Sequence, residues 1–451
     1  MNNTLKDLFT GKVKVGIWGL GYLGYTNLIK YTDCGLRCAA TDMNKERINA
    51  FDQEGFPRQS HIKYWEIAPV IDKSLIEVIE QPEEFISRED IRVIIICVQN
   101  ESSDGKPVGS YLKKSFDLIC NAVNQKRASD PKYRAPLIIV ETSMEPSFFD
   151  QELKHVILDS GLKLGSDISV GFAPRFDWEF SEFYQRQCYR LVSACDDKTL
   201  ENICTFFKFA GDDPLEVSGV INGEIAAHLV NAKKHIESSF VNQLSMGYPD
   251  ADIKKIIELL GIAGVDISEN VGIGISGYRL PVASQLLLEG ADRPEYLTIL
   301  QEALLTDFSM PQKVVDLFVR SGINKVGVLG LSNKKNLRGH ILSVSIKLIK
   351  VLKSNGIDVM LCDPLYTESE INEICSVKNL AFPDDLSQCD GVVFMRDHSF
   401  FIKDGLESLC RQLKHCKLLV DNTGTFTNKE VFSSFLGGVD VRVVGLSGWL
   451  A

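Results

Sequence analysis

Lys12–Asp42 reads KVKVGIWGLGYLGYTNLIKYTDCGLRCAATD. Lys12–Trp18 has the β-branched and aromatic content of a strand, and Gly19-Leu20-Gly21-Tyr22-Leu23-Gly24 follows it directly. Helix-compatible sequence then runs to about Tyr31, and a second strand, Leu36–Thr41, ends at Asp42. Strand, glycine turn, helix and a strand ending in an acid make a dinucleotide-binding pattern. Gly19 and Gly21 let the backbone turn tightly and approach a pyrophosphate, while Gly24 lets the helix pack close to the strand. The amides of Tyr22 and Leu23, at the helix start, then face the phosphates, where the helix dipole also favours negative charge. Asp42 lies 23 positions after Gly19, near the spacing at which a carboxylate reaches ribose hydroxyls. It would repel a 2′-phosphate, so NAD rather than NADP is the expected cofactor. Arg47 either stacks beside the adenine or is a solvated helix residue.

Outward from this unit, Val93–Val98 (VIIICV) and Pro136–Val140 (PLIIV) read as further strands, ending in Gln99-Asn100-Glu101 and Glu141-Thr142-Ser143. In a doubly wound sheet the carboxyl ends of strands face the ligand crevice, so Val98 and Thr142 are expected on the nicotinamide side. Gly219–Met246 predicts one long helix with Ile225, Leu229, Ala232, Ile236 and Phe240 at helical spacing, and Ile253–Leu260 and Tyr296–Leu305 predict its neighbours. Lys325–Leu331 opens a second strand-turn-helix unit, and Asp358–Cys362 ends at Asp363-Pro364 much as the earlier strand ended at Asp42. Strands at Gly391–Met395 and Leu418–Asp421 follow. The expected class is α/β, with two Rossmann-like doubly wound domains (1–215 and 322–451) joined by a helical central domain (216–321) that carries the long helix. The second unit's turn, Gly330–Gly339 (GLSNKKNLRG), is basic rather than glycine-rich. Lys334, Lys335 and Arg338 there either meet a phosphate group or form a solvated charged loop.

Composition narrows the function classes. Of 451 residues, 45% are apolar and 24% charged, as in ordinary globular chains. Lys plus Arg number 49 against 60 for Asp plus Glu, and the net charge of -11 argues against broad capture of nucleic acid or an anionic membrane. No apolar stretch approaches the roughly 18 residues of a membrane-spanning helix. Met1–Thr10 (MNNTLKDLFT) lacks the apolar centre of a signal peptide, so a cytoplasmic location is the default expectation. The 12 cysteines show no CxxC pair and no zinc-like spacing with histidine, and read as reduced thiols, so no metal site is expected.

The order of a GxGYxG domain, a long central helix, a glycine-rich loop and a second α/β domain resembles the UDP-glucose/GDP-mannose dehydrogenase family over almost the whole chain. Matching segments include Gly19–Gly24, Cys97-Val98, Glu141-Thr142-Ser143, Ala173-Pro174, Asn231, Gly272–Val282 (GIGISGYRLPV), Met310-Pro311, Lys325–Leu331, Cys362-Asp363-Pro364 and Asp397-His398. The resemblance implies NAD-dependent oxidation of a nucleotide sugar, usually a four-electron conversion of a primary alcohol to a carboxylate through a cysteine thioester. It also implies that 322–451 binds the nucleotide sugar, and that the long helix forms the interface of a homodimer.

The catalytic residues depart from the family. On Gly274-Ile275-Ser276-Gly277-Tyr278-Arg279 the cysteine position holds Arg279, and the family's aspartate falls on Ala283. No cysteine occurs between Cys204 and Cys362. In the central helix Asn231 remains, while the lysine four residues before it is Ala227; the proline-glutamate pair reads Pro174-Arg175, with Glu179 kept beyond it. Losing a nucleophile or its base costs on the order of 10⁴ to 10⁶ in turnover, so the usual sugar-acid synthesis is not expected. Two readings stay open. One is an NAD-dependent oxidoreductase using a changed, two-electron route, with Thr142 and Asn231 retained and His228 or Lys234 as candidate bases. The other is a regulatory protein that binds NAD and a nucleotide sugar without chemistry. In both, Glu179, Asn231, Gly274, Gly277, Tyr278, Arg279, Lys334 and Arg338 are the candidate nucleotide-sugar contacts, with Arg279 able to hold a diphosphate or carboxylate in a bidentate pair.

Overall fold

The structure is a computed structural model, and it describes all residues except 1, 55–71, 100–107, 132, 176–188, 266, 268–270, 278–279 and 429–434. Glu179, Tyr278 and Arg279 therefore lie outside the described residues, as do Asn100 and Glu101. Two compact units are present. One is built on the chain up to Val230 together with Glu289–Asp292, the other on Asn231–Leu288 and Arg293–Ala451.

The first unit carries an eight-stranded sheet of order β3-β2-β1-β4-β5-β6-β7-β8. Its strands are β1 (Lys14–Trp18), β2 (Cys38–Thr41), β3 (Ile76–Val78), β4 (Ile91–Ile96), β5 (Leu137–Val140), β6 (Ser169–Phe172), β7 (Tyr189–Ala194) and β8 (Asp213–Glu216). All neighbours are parallel except β6 and β7. The strand order reverses between β1 and β4, the switch point at which doubly wound sheets bind ligands. The run VIIICV reads as continuously apolar because β4 is covered on both faces: Val93 and Ile95 enter one core cluster, Ile94 and Ile96 the other.

The second unit repeats the plan. Strands β9 (Lys325–Leu329), β10 (Asp358–Cys362), β11 (Lys378–Asn379), β12 (Gly391–Phe394), β13 (Leu418–Asp421) and β14 (Asp440–Val443) form a parallel sheet of order β11-β10-β9-β12-β13-β14. Alternate residues again divide between two clusters, Val326 and Val328 facing one and Leu329 the other. The expected fold class, two doubly wound Rossmann-like sheets with helical segments between them in sequence, is the one observed.

The long helix spans Val220–Gly247, and a second helix, Thr298–Arg320, runs through Pro311, well beyond the expected stop at Leu305. Among the described residues no helix is long and apolar enough to cross a membrane. The long helix departs from the amphipathic expectation. Leu229 and Phe240 are 54% and 53% exposed, whereas Glu224, His228, His235, Ser239 and Asn242 on the other face are at least 95% buried. Ala232 and Val241 are buried too, but the buried stripe is otherwise largely polar and the large apolar side chains stand on the open one.

Candidate functional site

In the first unit the glycine turn sits at the switch point. Gly19 has φ +107, and a Cβ there would lie 2.6 Å from the Cys97 carbonyl oxygen at the end of β4. A Cβ on Gly24 would lie 1.8 Å from the Gly19 carbonyl oxygen, so only glycine lets the helix Tyr22–Asp33 pack this close. Among the described residues beyond its own turn, the nearest atom to a Cβ built on Gly21 is the Arg47 guanidinium at 3.8 Å. Gly21 is also the N-cap, and no side chain caps the helix. An uncapped helix start above an open glycine fits a bound pyrophosphate, which supplies acceptors for first-turn amides.

Asp42, 7% exposed, closes the turn. Its Oδ2 accepts from the Leu20 amide at 2.7 Å, its Oδ1 accepts from the Asn44 amide at 2.7 Å, and Arg47 Nη1 stands 3.5 Å from Oδ2. A carboxylate has about four acceptor positions, so ribose hydroxyls can still be held here. At the end of β5, Thr142 is buried and donates its hydroxyl to the Val98 carbonyl at 2.9 Å. The structure thus brings Gly19, Gly21, Leu23, Gly24, Asp42, Arg47, Val98 and Thr142 into one unit around the carboxyl ends of β1, β2, β4 and β5. Tyr22 opens the helix.

Glu141, directly before Thr142, is anchored in a buried charge network. Asn27 Nδ2 donates to its Oε2 at 2.7 Å, and Arg190 Nη1 lies 3.3 Å from its Oε1. Arg190 Nη2 is 3.5 Å from Asp212, which also pairs with Lys30. Burial, with Glu141 close by, pushes the Tyr31 hydroxyl well above the usual tyrosine range. Burial does the same to the Cys97 thiol, leaving it un-ionised. Arg175, at the family's glutamate position, turns toward the helix Tyr22–Asp33 and donates to the Thr26 hydroxyl at 2.5 Å and the Leu23 carbonyl at 3.4 Å.

The loop after β5 is gripped by the start of the long helix. His228 donates Nε2–H to the Met144 carbonyl at 2.6 Å, and burial lowers the histidine's proton affinity, so the ring is neutral. Its Nε2 is thereby engaged with the loop backbone rather than open as a base. Asn231, half-buried, follows on the same face between His228 and His235.

In the second unit the glycine-rich loop is held by its own backbone amides. Gly272 N donates to Asn242 Oδ1 at 3.0 Å, Ile273 N to Asn422 Oδ1 at 2.8 Å and Ile275 N to Asp307 Oδ1 at 2.5 Å. Gly274 (φ +126) leaves room for Asp307, and Gly277 N donates to the Leu342 carbonyl at 3.1 Å. Ser276 Oγ accepts from Val344 N at 3.0 Å and from Arg396 at 2.9 Å. His235, fully buried, shares a hydrogen bond of 2.8 Å with Ser284, which is also fully buried. This pair, and Arg396, were not singled out in the sequence. The usable signal was the recurrence of polar residues at helical spacing from Glu224 to Asn242.

The basic loop after β9 is partly self-neutralised. Lys335 pairs with Asp397 at 2.7 Å, and Arg338 pairs with Glu370 while lying 4.5 Å from the Tyr366 ring centroid. Lys334 is exposed. Asp363 repeats the role of Asp42: its Oδ2 accepts from the Leu331 and Ser332 amides at 2.7 and 2.8 Å. Here, however, buried His398 donates Nε2–H to the same Oδ2 at 3.2 Å, its Nδ1 accepting from Asn336 N at 2.9 Å, and Oδ1 accepts from the Leu365 amide at 2.9 Å. Burial would raise the Asp363 carboxyl, but His398 and the Ser332 and Leu365 amides outweigh it and hold it below the usual range. The second acid is therefore more fully engaged than Asp42.

Residues 327–428 match the model of the UDP-glucose/GDP-mannose dehydrogenase family, UDP binding domain. A UDP-N-acetyl-D-mannosamine dehydrogenase of Pyrococcus horikoshii is 21% identical over 442 residues, covering 94% of this chain and 99% of its own length. One from Methanococcus aeolicus is 20% identical over 452 residues, covering 96% and 95%. Among solved structures, the UDP-D-ManNAc dehydrogenase of P. horikoshii superposes with TM-score 0.77 at 19% identity, covering 97% of this chain and 100% of that one. A UDP-glucose dehydrogenase from Pyrobaculum islandicum gives 0.75 at 19% identity, covering 91% and 94%. At these identities the structural likeness is one of fold. The resemblance drawn from the sequence holds along nearly the whole chain.

Proposed function

We propose that this chain is an NAD-dependent oxidoreductase acting on a CH–OH group of a nucleotide sugar, by a two-electron route that needs no cysteine. The observation that carries the reading is the glycine turn, where Gly19 and Gly24 admit no side chain, Gly21 stays open and Asp42 closes the ribose end. The match of 327–428 to a UDP-binding domain supports the substrate class. In this proposal 1–215 binds NAD, 216–321 is the helical dimerisation segment, and 322–451 binds the nucleotide. The chemistry NAD supplies when bound is hydride acceptance. The turn holds the pyrophosphate, Asp42 holds the ribose, and Thr142, fixed on the Val98 carbonyl, borders the nicotinamide. Asn231 steadies the sugar alkoxide, and Gly274, Gly277 and Lys334, with Glu179, Tyr278, Arg279 and Arg338, contact the nucleotide sugar. Arg338 would do so only by exchanging its Glu370 partner.

The test is NADH formed per sugar consumed, by absorbance and product mass, across UDP- and GDP-sugars with excess NAD. One NADH per sugar is expected. Two would show that full oxidation survives without the thiol and would end the two-electron reading. None, with both ligands bound in calorimetry, would favour the binding protein, a reading that the engaged Nε2 of His228 also supports. Asp42→Ala should weaken NAD binding on the order of 100-fold, since hydrogen bonds to a charged partner are worth about 1.5–3 kcal/mol each. Unchanged calorimetric affinity would remove Asp42 from the site.

The apolar outer stripe of the long helix supports a homodimer. Besides Leu229 and Phe240, Ile299, Leu305 and Phe308 on the helix Thr298–Arg320 are 64–79% exposed, and exposed large apolar side chains gathered on helices mark association surfaces. Sedimentation at micromolar concentration should give twice the chain mass, and a monomer there would count against the assignment.

A further inference from the structure

The loop between β5 and the helix Lys154–Asp159 is held in a conformation it would not choose alone. Ser147 has φ +75, a left-handed backbone that non-glycine residues rarely adopt. Two of the loop's amides, Ser147 N and Phe149 N, donate to Glu224 Oε2 and Oε1 at 2.8 and 3.2 Å. One turn along the helix, His228 takes the Met144 carbonyl. Gly290 closes the other side, since a Cβ there would meet Pro146 backbone atoms at 2.4–2.7 Å. Glu224 is only 5% exposed, so its two bonds are made away from water. We propose that Glu224, backed by His228, is a positioning residue that locks the Thr142–Phe149 loop at the NAD crevice, and that protonating its carboxylate loosens the lock.

A carboxylate is required because the two amides approach two different oxygens. Protonation turns one of those oxygens into a hydroxyl, a poorer acceptor, and an amide in its place sets an NH2 against one of the loop N–H groups. The groups facing Glu224 are acidic: Asp150 and Glu145 come from the loop and the turn after it, and Glu145 itself faces Glu289 and Glu152. Two of these acids carry lysines, Asp150 paired with Lys154 and Glu152 with Lys113. Burial raises the Glu224 carboxyl to about 7, against the pull of the two amides. The carboxylate form, and the lock, therefore prevail above that pH and fade as pH falls through it. His228 acts in the same direction, because burial keeps it neutral and acid would charge it.

The cofactor half of this proposal rests on the function proposed above, so the test has two readouts. Hydrogen exchange of the 144–149 segment, corrected for intrinsic rate, is followed by mass spectrometry from pH 6 to 8.5, alongside NAD affinity by calorimetry. In the wild type both should improve about tenfold as pH rises, the scale of one hydrogen bond. Glu224→Gln should be flat with pH and about tenfold worse at pH 8 in both, and Glu224→Asp, which keeps the charge, should keep the pH step. Exchange in 144–149 unchanged by Glu224→Gln at pH 8 would overturn the lock. So would faster exchange spread evenly over the whole first unit, because Glu224 would then be a general stabiliser. Segment-specific exchange as expected, with NAD bound by neither protein, would uphold the lock and sink the cofactor reading.

Discussion

Gly24→Ala is expected to abolish NAD binding and to destabilise the first unit by about 3 kcal/mol, the upper part of the range for overpacked sites. The added methyl would stand 1.8 Å from the Gly19 carbonyl oxygen and 3.0 Å from its carbon. Both obstacles are backbone, and Gly19 is itself pressed against the Cys97 carbonyl, so neither segment can retreat without shifting β1 from β4. Gly21→Ala is the matched control. Among the described residues its methyl meets only the end of Arg47 at 3.8 Å, so urea unfolding should be nearly unchanged while NAD affinity falls through the phosphate side alone. Equal midpoints for Gly24→Ala and wild type would show that the helix does not pack as described.

Arg190→Met should cost about 3–5 kcal/mol in the same measurement, the usual penalty for removing one partner of a buried ion pair. Arg190 is 3% exposed and faces Glu141 and Asp212, 1% and 3% exposed. Its guanidinium carbon also lies over the Phe207 ring, 5.0 Å from the centroid, a cation–π contact that the variant loses too. Methionine keeps much of the volume, so the loss reports lost charge contacts rather than a cavity, chiefly at Glu141, since Asp212 keeps its Lys30 partner. Adding Glu141→Gln should recover part of it, giving a double-variant loss smaller than the sum. A loss below about 1 kcal/mol for Arg190→Met would mean that water reaches the pair. Because Glu141 precedes Thr142, the variant should also weaken NAD binding.

The central strands of both sheets were legible because strands covered on two faces become unbroken apolar runs. β3, of three half-buried residues, and β8, an edge strand containing Asp213, Pro214 and Glu216, offer no such run and are not among the expected strands; nor are β6, β7, β11 and β14. Proline lacks the amide and crowds the preceding turn, yet the helix Thr298–Arg320 runs on through Pro311, beyond the expected Leu305. The burial of Met310, Pro311, Val314 and Val315 outweighs that local cost. The glycine turn was readable as close backbone packing, because its spacing reflects backbone geometry, whereas the bonds of Asp42 to the Leu20 and Asn44 amides were not. The environment of His228 was not: nothing in one sequence says that a helix histidine will meet the Met144 carbonyl. The same limit hid the long helix's polarity, for pattern alone assigns apolar positions to the interior. There the buried stripe serves loops that need hydrogen-bonding partners, Met144–Phe149 at one end and Gly272 at the other.

That reversed polarity bears on how the chain reaches its native state. Rotating the long helix would bury Leu229 and Phe240 and satisfy hydrophobic collapse, but it would strand Glu224, His228, His235, Ser239 and Asn242 without their partners. Collapse driven by apolar area therefore favours a misrotated competitor early, before the loops that reward the native rotation have formed. Such a conflict between local pattern and final structure is expected to slow folding, because the competing rotation must be undone before the native partners can form.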